Sequence, residues 1–261
     1  MSFFKNTLLF SVFILTLNAC GTKTEGCTDP SARDFNAAAD KDCNCCKYFQ
    51  LQMKWNLFMS RFESESFAFG DTLQDVAGND FIVLACPFYI SDWRLVSLDN
   101  REIGPQSNNL NCGLVQPSTF IYDFGDVAEL TTVNRVRFNV GLNATLNHGD
   151  VTDYATTTAL GNRGMYLSAD DGYIFMLPQV VIGVDTFTFP IYGDANLTAI
   201  ELPLRSDFEM SGDKDNTINV SVNYRKLFSG VDFATDTAND AAVLKQKIIQ
   251  NLTNEVFRAE M

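Results

Sequence analysis

Short segments in which polar and apolar residues alternate are the feature that most constrains the fold of this chain. Residues 135–140 and 217–224 each place every second, apolar residue on one face of a strand. Further strand candidates, separated by Gly, Asn, Asp and Pro, span residues 81–84, 89–98, 173–177, 180–183, 187–191 and 198–202. Many short strands with such punctuation predict a mainly β protein, an antiparallel sandwich or barrel.

The period of the apolar residues changes near the C-terminus. From Leu244 to Val256 an apolar residue recurs every four positions, which is the spacing of one helix face. Asn239 or Asp240 can cap this helix, and we expect it to run to about Phe257. The sequence therefore predicts a C-terminal α-helix whose apolar face lies on the sheet.

Composition supports a packed core and argues against nucleic acid as a partner. Hydrophobic residues make up 46% of the chain and charged residues 20%, and 22 residues are Phe. The formal net charge is −13, so phosphate backbones would be repelled. We expect no nucleic-acid binding.

The N-terminus resembles a bacterial lipoprotein signal. Lys5 precedes an apolar run over residues 8–17 that is too short to span a bilayer, and the run ends in Leu-Asn-Ala-Cys-Gly with the cysteine at position 20. We expect residues 1–19 to be removed and Cys20 to carry the lipid that anchors the protein to a membrane. Gly21 after the cysteine, instead of an acid, favours the outer membrane by analogy with other lipoproteins, on the periplasmic face or the cell surface. The alternative is an ordinary secretory signal with a chance cysteine.

The six other cysteines predict disulfides, because an exported chain meets an oxidising compartment. They are Cys27, Cys43, Cys45, Cys46, Cys86 and Cys112. We expect Cys86 to pair with Cys112, since both lie in the main domain at residues 48–261. The other four would then close a small module within the tether region at residues 20–47. Thiolate binding of a soft metal by Cys43, Cys45 and Cys46 is the alternative.

The cysteine-rich module resembles a short Cys-Thr-Asp-Pro repeat of secreted Gram-negative proteins. The match begins at Cys27 and covers about twenty residues, too few for an independent core, so a disulfide must hold it. Its oxygen-bearing side chains are weak candidates for calcium ligands, although their spacing is not that of an EF-hand. They are Asp29, Asp34, Asn36, Asp40 and Asp42. A solvated acidic loop is the simpler interpretation.

Few residues in the sequence suggest catalysis. His148 is the one histidine in the sequence, and the Asn, Gly and Asp around it indicate a solvated turn. The sequence contains no His-Glu-x-x-His, no Gly-x-Ser-x-Gly and no phosphate-binding glycine loop. Neighbouring acids, which a carboxylate-based hydrolase would need, are Asp170 with Asp171, and Asp123, Asp126 and Glu129. We expect no enzymatic activity and keep the hydrolase as an alternative.

One segment, residues 164–175 (Gly-Met-Tyr-Leu-Ser-Ala-Asp-Asp-Gly-Tyr-Ile-Phe), resembles the signature Gly-Met-x-Trp-x-Trp-x-x-Gly-Tyr-x-Phe of MbnP-like proteins. These are relatives of the methanobactin-associated copper-binding protein. Residues 88–95, 136–141 and 227–232 resemble further stretches of the family in the same order, so the likeness covers roughly residues 48–258. The residues of the signature that this chain keeps are Gly164, Met165, Gly172, Tyr173 and Phe175. The two glycines would permit positive φ, and Tyr173 and Phe175 would share one face of a strand.

The resemblance implies a β-sandwich and a copper site, but the donor residues do not carry over. Leu167 and Ala169 stand where the signature has tryptophans, and residues 189–193 (Phe-Pro-Ile-Tyr-Gly) lack the histidine of the corresponding family strand. Apolar side chains offer no lone pair to a metal, so we expect the copper site to be lost. Met165 and Met176 are weak candidates for Cu(I), with core packing the simpler role.

Three functions remain open on the sequence. The first is an outer-membrane lipoprotein that acts as a non-enzymatic binding or accessory module beside a transporter or surface complex. The second is a metal-binding protein that retains copper or calcium. The third is the carboxylate-based hydrolase.

Overall fold

The computed structural model describes residues 23–56, 67–105, 111–117, 121–127, 129–211 and 216–260. The predicted signal peptide and the lipid attachment at Cys20 lie outside these residues. The chain divides into two compact units, Met1–Tyr48 and Phe49–Met261. None of the helices in the described ranges has the length and apolar character needed to cross a bilayer.

The first unit is a small module joined by disulfides. Strands β1 (Glu25–Gly26) and β2 (Lys41–Asp42) form a parallel pair. Cys27 is bonded to Cys46, and Cys43 is bonded to Cys45. The prediction that these four cysteines pair among themselves is therefore confirmed.

The second unit is mainly β, as the alternating segments predict. Its first strands are β3 (Phe49–Asn56), β4 (Thr72–Gln74), β5 (Asp80–Ala85), β6 (Phe88–Ser97), β7 (Glu102–Ile103), β8 (Cys112–Val115), β9 (Ile121–Val127) and β10 (Thr132–Val140). They are followed by β11 (Tyr166–Ser168), β12 (Gly172–Met176), β13 (Gln179–Ile182), β14 (Asp185–Thr188), β15 (Ile191–Tyr192), β16 (Thr198–Glu209), β17 (Asn216–Val222) and β18 (Phe257–Glu260). Helices are short: α1 (Ala144–Asn147), α2 (Tyr224–Leu227), α3 (Phe233–Asp236) and α4 (Ala238–Asn251), with 3-10 turns at Val151–Asp153, Arg163–Met165 and Asp194–Asn196.

The described residues of this unit form three sheets. The largest follows the order β11-β12-β6-β10-β16, with β15 on β12 and with β7 and β8 on β6. The other two follow the orders β14-β13-β5-β4 and β18-β17-β3-β9. All pairs in these sheets are antiparallel except β17 with β3, which run parallel. A single strand was expected at residues 187–191, but Phe189 and Pro190 separate β14 from β15 there, because proline cannot donate to the ladder.

The main core lies between the large sheet and the sheet that contains β17 and β18. Phe138 on β10 and Phe88 on β6 both meet Phe257 on β18, with ring centroids 5.5 Å and 5.8 Å apart. Val220 on β17 and Ile248 on α4 belong to the same buried cluster. This arrangement of two sheets with a C-terminal helix is the sandwich that the sequence predicts.

The predicted bounds of the C-terminal helix need correction. Asn239, Asp240 and Ala241 adopt positive φ, so the regular helix begins after Ala241, and Asn251 is its last residue. Glu255 also has positive φ (57°), and Phe257 starts strand β18 instead of ending the helix. The apolar spacing continues to Val256 because that residue is buried after the helix has ended.

A second buried cluster lies on the other face of β6 and explains why Cys86 and Cys112 do not pair. Phe88 points into the main core, whereas Tyr89, the next residue, belongs to the second cluster. Cys86 is buried in the main core and Cys112 packs against the second cluster, and both carry free thiols. The predicted Cys86–Cys112 disulfide is wrong in this structure because the sheet separates the two side chains.

Candidate functional site

The residues of the family signature form a turn and a hairpin at the margin of the large sheet. Asn162 accepts a hydrogen bond from the Gly164 N–H and so begins the 3-10 turn Arg163–Met165. Strand β11 follows, and the Ser168 hydroxyl meets both the N–H and the carboxylate of Asp171 across the tight turn to β12. The segment is thus fixed by its own local hydrogen bonds.

Gly172 begins β12 and is the glycine whose conformation the hairpin requires. Its φ is +73°, and a Cβ there would lie 2.4 Å from Asn147 Oδ1. Gly164 lies inside the 3-10 turn without positive φ, so the expected left-handed conformation holds for Gly172 and fails for Gly164. Gly172 is therefore required both by backbone conformation and by the close approach of Asn147.

Asn147 is the polar centre of this region, and the sequence did not point to it. Its side chain is fully buried, accepts a hydrogen bond from the Tyr173 N–H at 2.8 Å and donates to Asp194 Oδ1 at 2.8 Å. The neighbouring His148 Nε2 lies 3.1 Å from Asp194 Oδ2. The hydrogen bond from Asn147, followed by that from His148, lowers the pKa of Asp194. His148 lies in an exposed turn that follows helix α1, as the sequence predicts, and the structure adds that its Nε2 contacts an acid.

The space beneath the signature is filled. Tyr173 and Phe175 both belong to the second buried cluster, as does Ile174 between them, with Met165, Leu142 and Leu160 among their companions. The Tyr173 hydroxyl donates to the Leu160 carbonyl at 2.7 Å, and burial raises the pKa of this hydroxyl to about 12. The Tyr89 hydroxyl in the same cluster likewise donates to a backbone carbonyl, that of Ala159, at 2.8 Å. Because these buried hydroxyls are satisfied, the cluster acts as a small core under the hairpin.

The residues at the copper positions do not fit a copper ion. Leu167 is 41% exposed and Ala169 is exposed, so neither side chain encloses a space for a metal ion. Met165 and Met176, the weak Cu(I) candidates, are buried in different clusters, on opposite faces of the sheet, so the two sulfurs cannot share a site. Within the described ranges, no three His, Cys, Asp or Glu side chains are grouped to hold a metal.

The calcium candidates of the first unit are likewise kept apart by local structure. Asp29 accepts from the Ser31 N–H at 2.9 Å and from the Tyr48 hydroxyl at 2.6 Å, and the Tyr48 hydrogen bond is the main reason that its pKa is lowered. Asp34 accepts from the Lys47 N–H, Asn36 from the Ala38 N–H, and Asp42 from the Asn44 N–H. Asp40 is exposed. The oxygens of Asp29, Asn36 and Asp42 each cap a local turn, whereas Asp34 holds a backbone N–H that is distant in sequence.

The acids also do not form a catalytic pair among the described side chains. Asp170 and Asp171 lie in the exposed hairpin turn, and Glu129 is paired with Arg101 at 2.7 Å; the side chains of Asp123 and Asp126 lie outside those described. A depression of about 340 Å³ on the large sheet does contain three acids, Asp92, Glu102 and Glu201.

Arg137 lies between Glu102 and Glu201 and donates to both of them. Glu201 is held a second time by Arg135 at 3.3 Å. The Glu201 and Glu102 hydrogen bonds raise the pKa of Arg137. The third acid, Asp92, instead accepts hydrogen bonds from the side-chain amides of Asn139 at 3.2 Å and Asn143 at 3.0 Å.

The fold and this site define a β-sandwich protein in which a hairpin signature is kept for packing. The MbnP family model matches residues 52–246, and the chain belongs to this family. Among solved structures it is similar to MbnP from Methylosinus trichosporium, with 12% identity, a TM-score of 0.47, and coverage of 71% of this chain and 78% of that one. No curated protein matches the chain.

Proposed function

We propose that this protein is an outer-membrane lipoprotein of the MbnP family that acts as a binding or accessory module, without catalysis and without copper. The lipid on Cys20 would hold it to the membrane, and the polar residues before strand β1 would serve as a short tether. Its partner would be an outer-membrane transporter or surface complex, which is the setting that the family resemblance implies.

The filled space beneath the signature is the observation that carries this proposal. A metal site needs an open coordination position or a closed set of donors. Here Tyr173, Phe175 and Met165 pack with aliphatic and aromatic side chains. The Tyr89 and Tyr173 hydroxyls bind backbone carbonyls, and Asn147 uses its oxygen on the Tyr173 N–H. The segment has kept the residues that shape the hairpin and has lost those that would bind an ion.

The charged depression on the large sheet supports a role without catalysis. A general acid must hold its proton near neutral pH, which requires burial or a like charge beside it. Glu102 and Glu201 are instead exposed to solvent, with Arg137 between them. The charged side chains of this depression are suited to contact with a polar partner surface, where ion pairs determine the orientation of the partner more than its affinity.

Copper binding is the property to test first. Purified protein would be titrated with Cu(II) and, under reducing conditions, with Cu(I), followed by calorimetry and by the melting temperature. We expect no site tighter than that of an exposed histidine, and we expect His148→Ala to abolish the weak Cu(II) binding that remains. A stoichiometric site that survives His148→Ala, or stabilisation near the roughly 2.7 kcal/mol produced by a ligand at 100 times its Kd, would overturn the copper-free assignment.

The anchor and the partner need separate experiments. Cys20→Ala should release the chain from the membrane fraction, because the acyl chains supply the membrane affinity. Crosslinking in intact cells, with the released variant as the matched control, should return a membrane complex for the native protein alone. An unacylated mature protein, or identical crosslinks for both forms, would contradict the proposal.

A further inference from the structure

The two disulfides of the first unit differ in how much they can stabilise the fold. Cys27–Cys46 joins residues 19 positions apart and buries Cys27 at 2% exposure, so it closes the module. Cys43–Cys45 spans two positions. Because the stabilisation from a disulfide grows with the length of the loop it closes, the second bridge adds little to the stability of the fold.

The chain around the short bridge keeps its shape through its own hydrogen bonds. Asp42 Oδ1 accepts from the Asn44 N–H at 3.2 Å, and Asn44 adopts the left-handed conformation that this residue type tolerates (φ 51°). The Cys45 N–H points at Cys43 Sγ, with the nitrogen 3.2 Å from the sulfur. The turn is therefore held without the S–S bond, and the two sulfurs would stay close after it is broken.

Access and leaving-group stability distinguish the two sulfurs. Cys45 is exposed to solvent, whereas Cys43 is partly buried. Thiol–disulfide exchange requires a thiolate to reach one sulfur while the other accepts the negative charge, and a hydrogen bond to the charged form stabilises the leaving thiolate. The Cys45 N–H supplies this hydrogen bond to Cys43.

We propose that Cys43–Cys45 is an exchangeable disulfide that accepts two electrons from a dithiol partner, with Cys45 as the attacked sulfur and Cys43 as the leaving group. A partner thiolate attacks Cys45 Sγ, the Cys43–Cys45 bond breaks, and the electron pair stays on Cys43, which then takes a proton from solvent. The partner's second thiol loses its proton to solvent and attacks the partner sulfur of the mixed disulfide. Cys45 leaves as a thiolate and is protonated, and the partner departs as a disulfide.

The exchange is selective within the module. Cys27 is buried and Cys46 is partly buried, so both sulfurs of their bridge are less accessible to an incoming thiolate than the exposed Cys45. The preformed turn keeps the reduced pair close, so an oxidant can restore the bridge without refolding. Asp42 beside the pair opposes negative charge, so a neutral or basic thiol partner is the class that reacts best.

The rate and site of reduction test this proposal on the full chain in detergent. The chain would be exposed to limiting dithiothreitol, quenched with an alkylating reagent at increasing times, and mapped by mass spectrometry. We expect alkylation of Cys43 and Cys45 at least tenfold faster than that of Cys27 and Cys46, with an unchanged circular dichroism spectrum. The double substitution Cys43→Ser with Cys45→Ser should remove the fast phase and leave the slow one.

The polarity of the exchange needs a monothiol. Glutathione should form its mixed disulfide on Cys45 and leave Cys43 alkylatable in the quenched sample. Reduction of both bridges at equal rates, earlier reduction of Cys27–Cys46, or glutathione found on Cys43 would overturn the assignment. A variant with Cys86→Ser and Cys112→Ser should give the same result, because these thiols belong to the other unit.

Discussion

Asn147 is expected to stabilise the signature hairpin more than any exposed polar residue near it. In Asn147→Ala the buried Tyr173 N–H loses its acceptor, which costs about 1–3 kcal/mol. The hydrogen bond to Asp194 is also lost, but the Asp194 side chain is 47% exposed and water replaces most of that bond. We therefore count about 1 kcal/mol for that bond, and the total comes to about 3 kcal/mol.

Urea unfolding measures this loss directly. With an m-value of about 3 kcal/mol per molar for a domain of this size, the midpoint of Asn147→Ala should fall by roughly 1 M. The matched control is His148→Ala, which removes the exposed partner of the same Asp194 and should change stability by at most about 0.5 kcal/mol. Equal losses for the two variants, or a loss below about 1 kcal/mol for Asn147→Ala, would refute the role given to the buried amide.

Three further predictions address the glycine, the buried ion pair and the free thiols. Gly172→Ala should destabilise the domain by about 2 kcal/mol or more in the same urea assay, because φ is positive and the new Cβ meets Asn147; a loss below about 0.5 kcal/mol would contradict this. Burial alone would raise the pKa of Asp236, but the Asp232 N–H and Lys247 outweigh it and the pKa is lowered. The stabilisation by ionised Asp236 is therefore present above the ordinary aspartate pKa of 3.8 and is lost as the pH falls through the folded-state pKa. Asp236→Asn should cost about 2 kcal/mol at pH 7 and should make the free energy of unfolding less dependent on pH in the acid range. Alkylation after denaturation without reductant should label Cys86 and Cys112, and a peptide that links the two would contradict the structure.

Strands and helices that follow from a short periodic pattern of apolar residues could be predicted from the sequence. The alternation at residues 135–140 and 217–224 identified strands β10 and β17, because a two-residue period follows directly from strand geometry. The end of the C-terminal helix was placed too late for the same reason. Val256 continues the apolar spacing because it is buried, although Glu255 has already turned the chain.

The sequence does not show which face of the sheet a side chain occupies or which residues distant in sequence come into contact. Cys86 and Cys112 flank one excursion, but the sequence does not show that one faces the main core and the other the second cluster. Asn147 lies 26 positions from Tyr173, and an asparagine beside His148 and Gly149 looks like an ordinary turn residue. That Leu167 and Ala169 stand at the tryptophan positions of the signature is visible in the sequence, because it depends on residue type alone.

We propose that the native protein holds no copper. Native mass spectrometry of the protein extracted from its own membrane is the decisive measurement. The proposal predicts an acylated chain that begins at Cys20, with a mass that leaves no room for a bound metal. A copper ion retained in stoichiometric amount through desalting would contradict the claim that the space under residues 164–175 has been refilled.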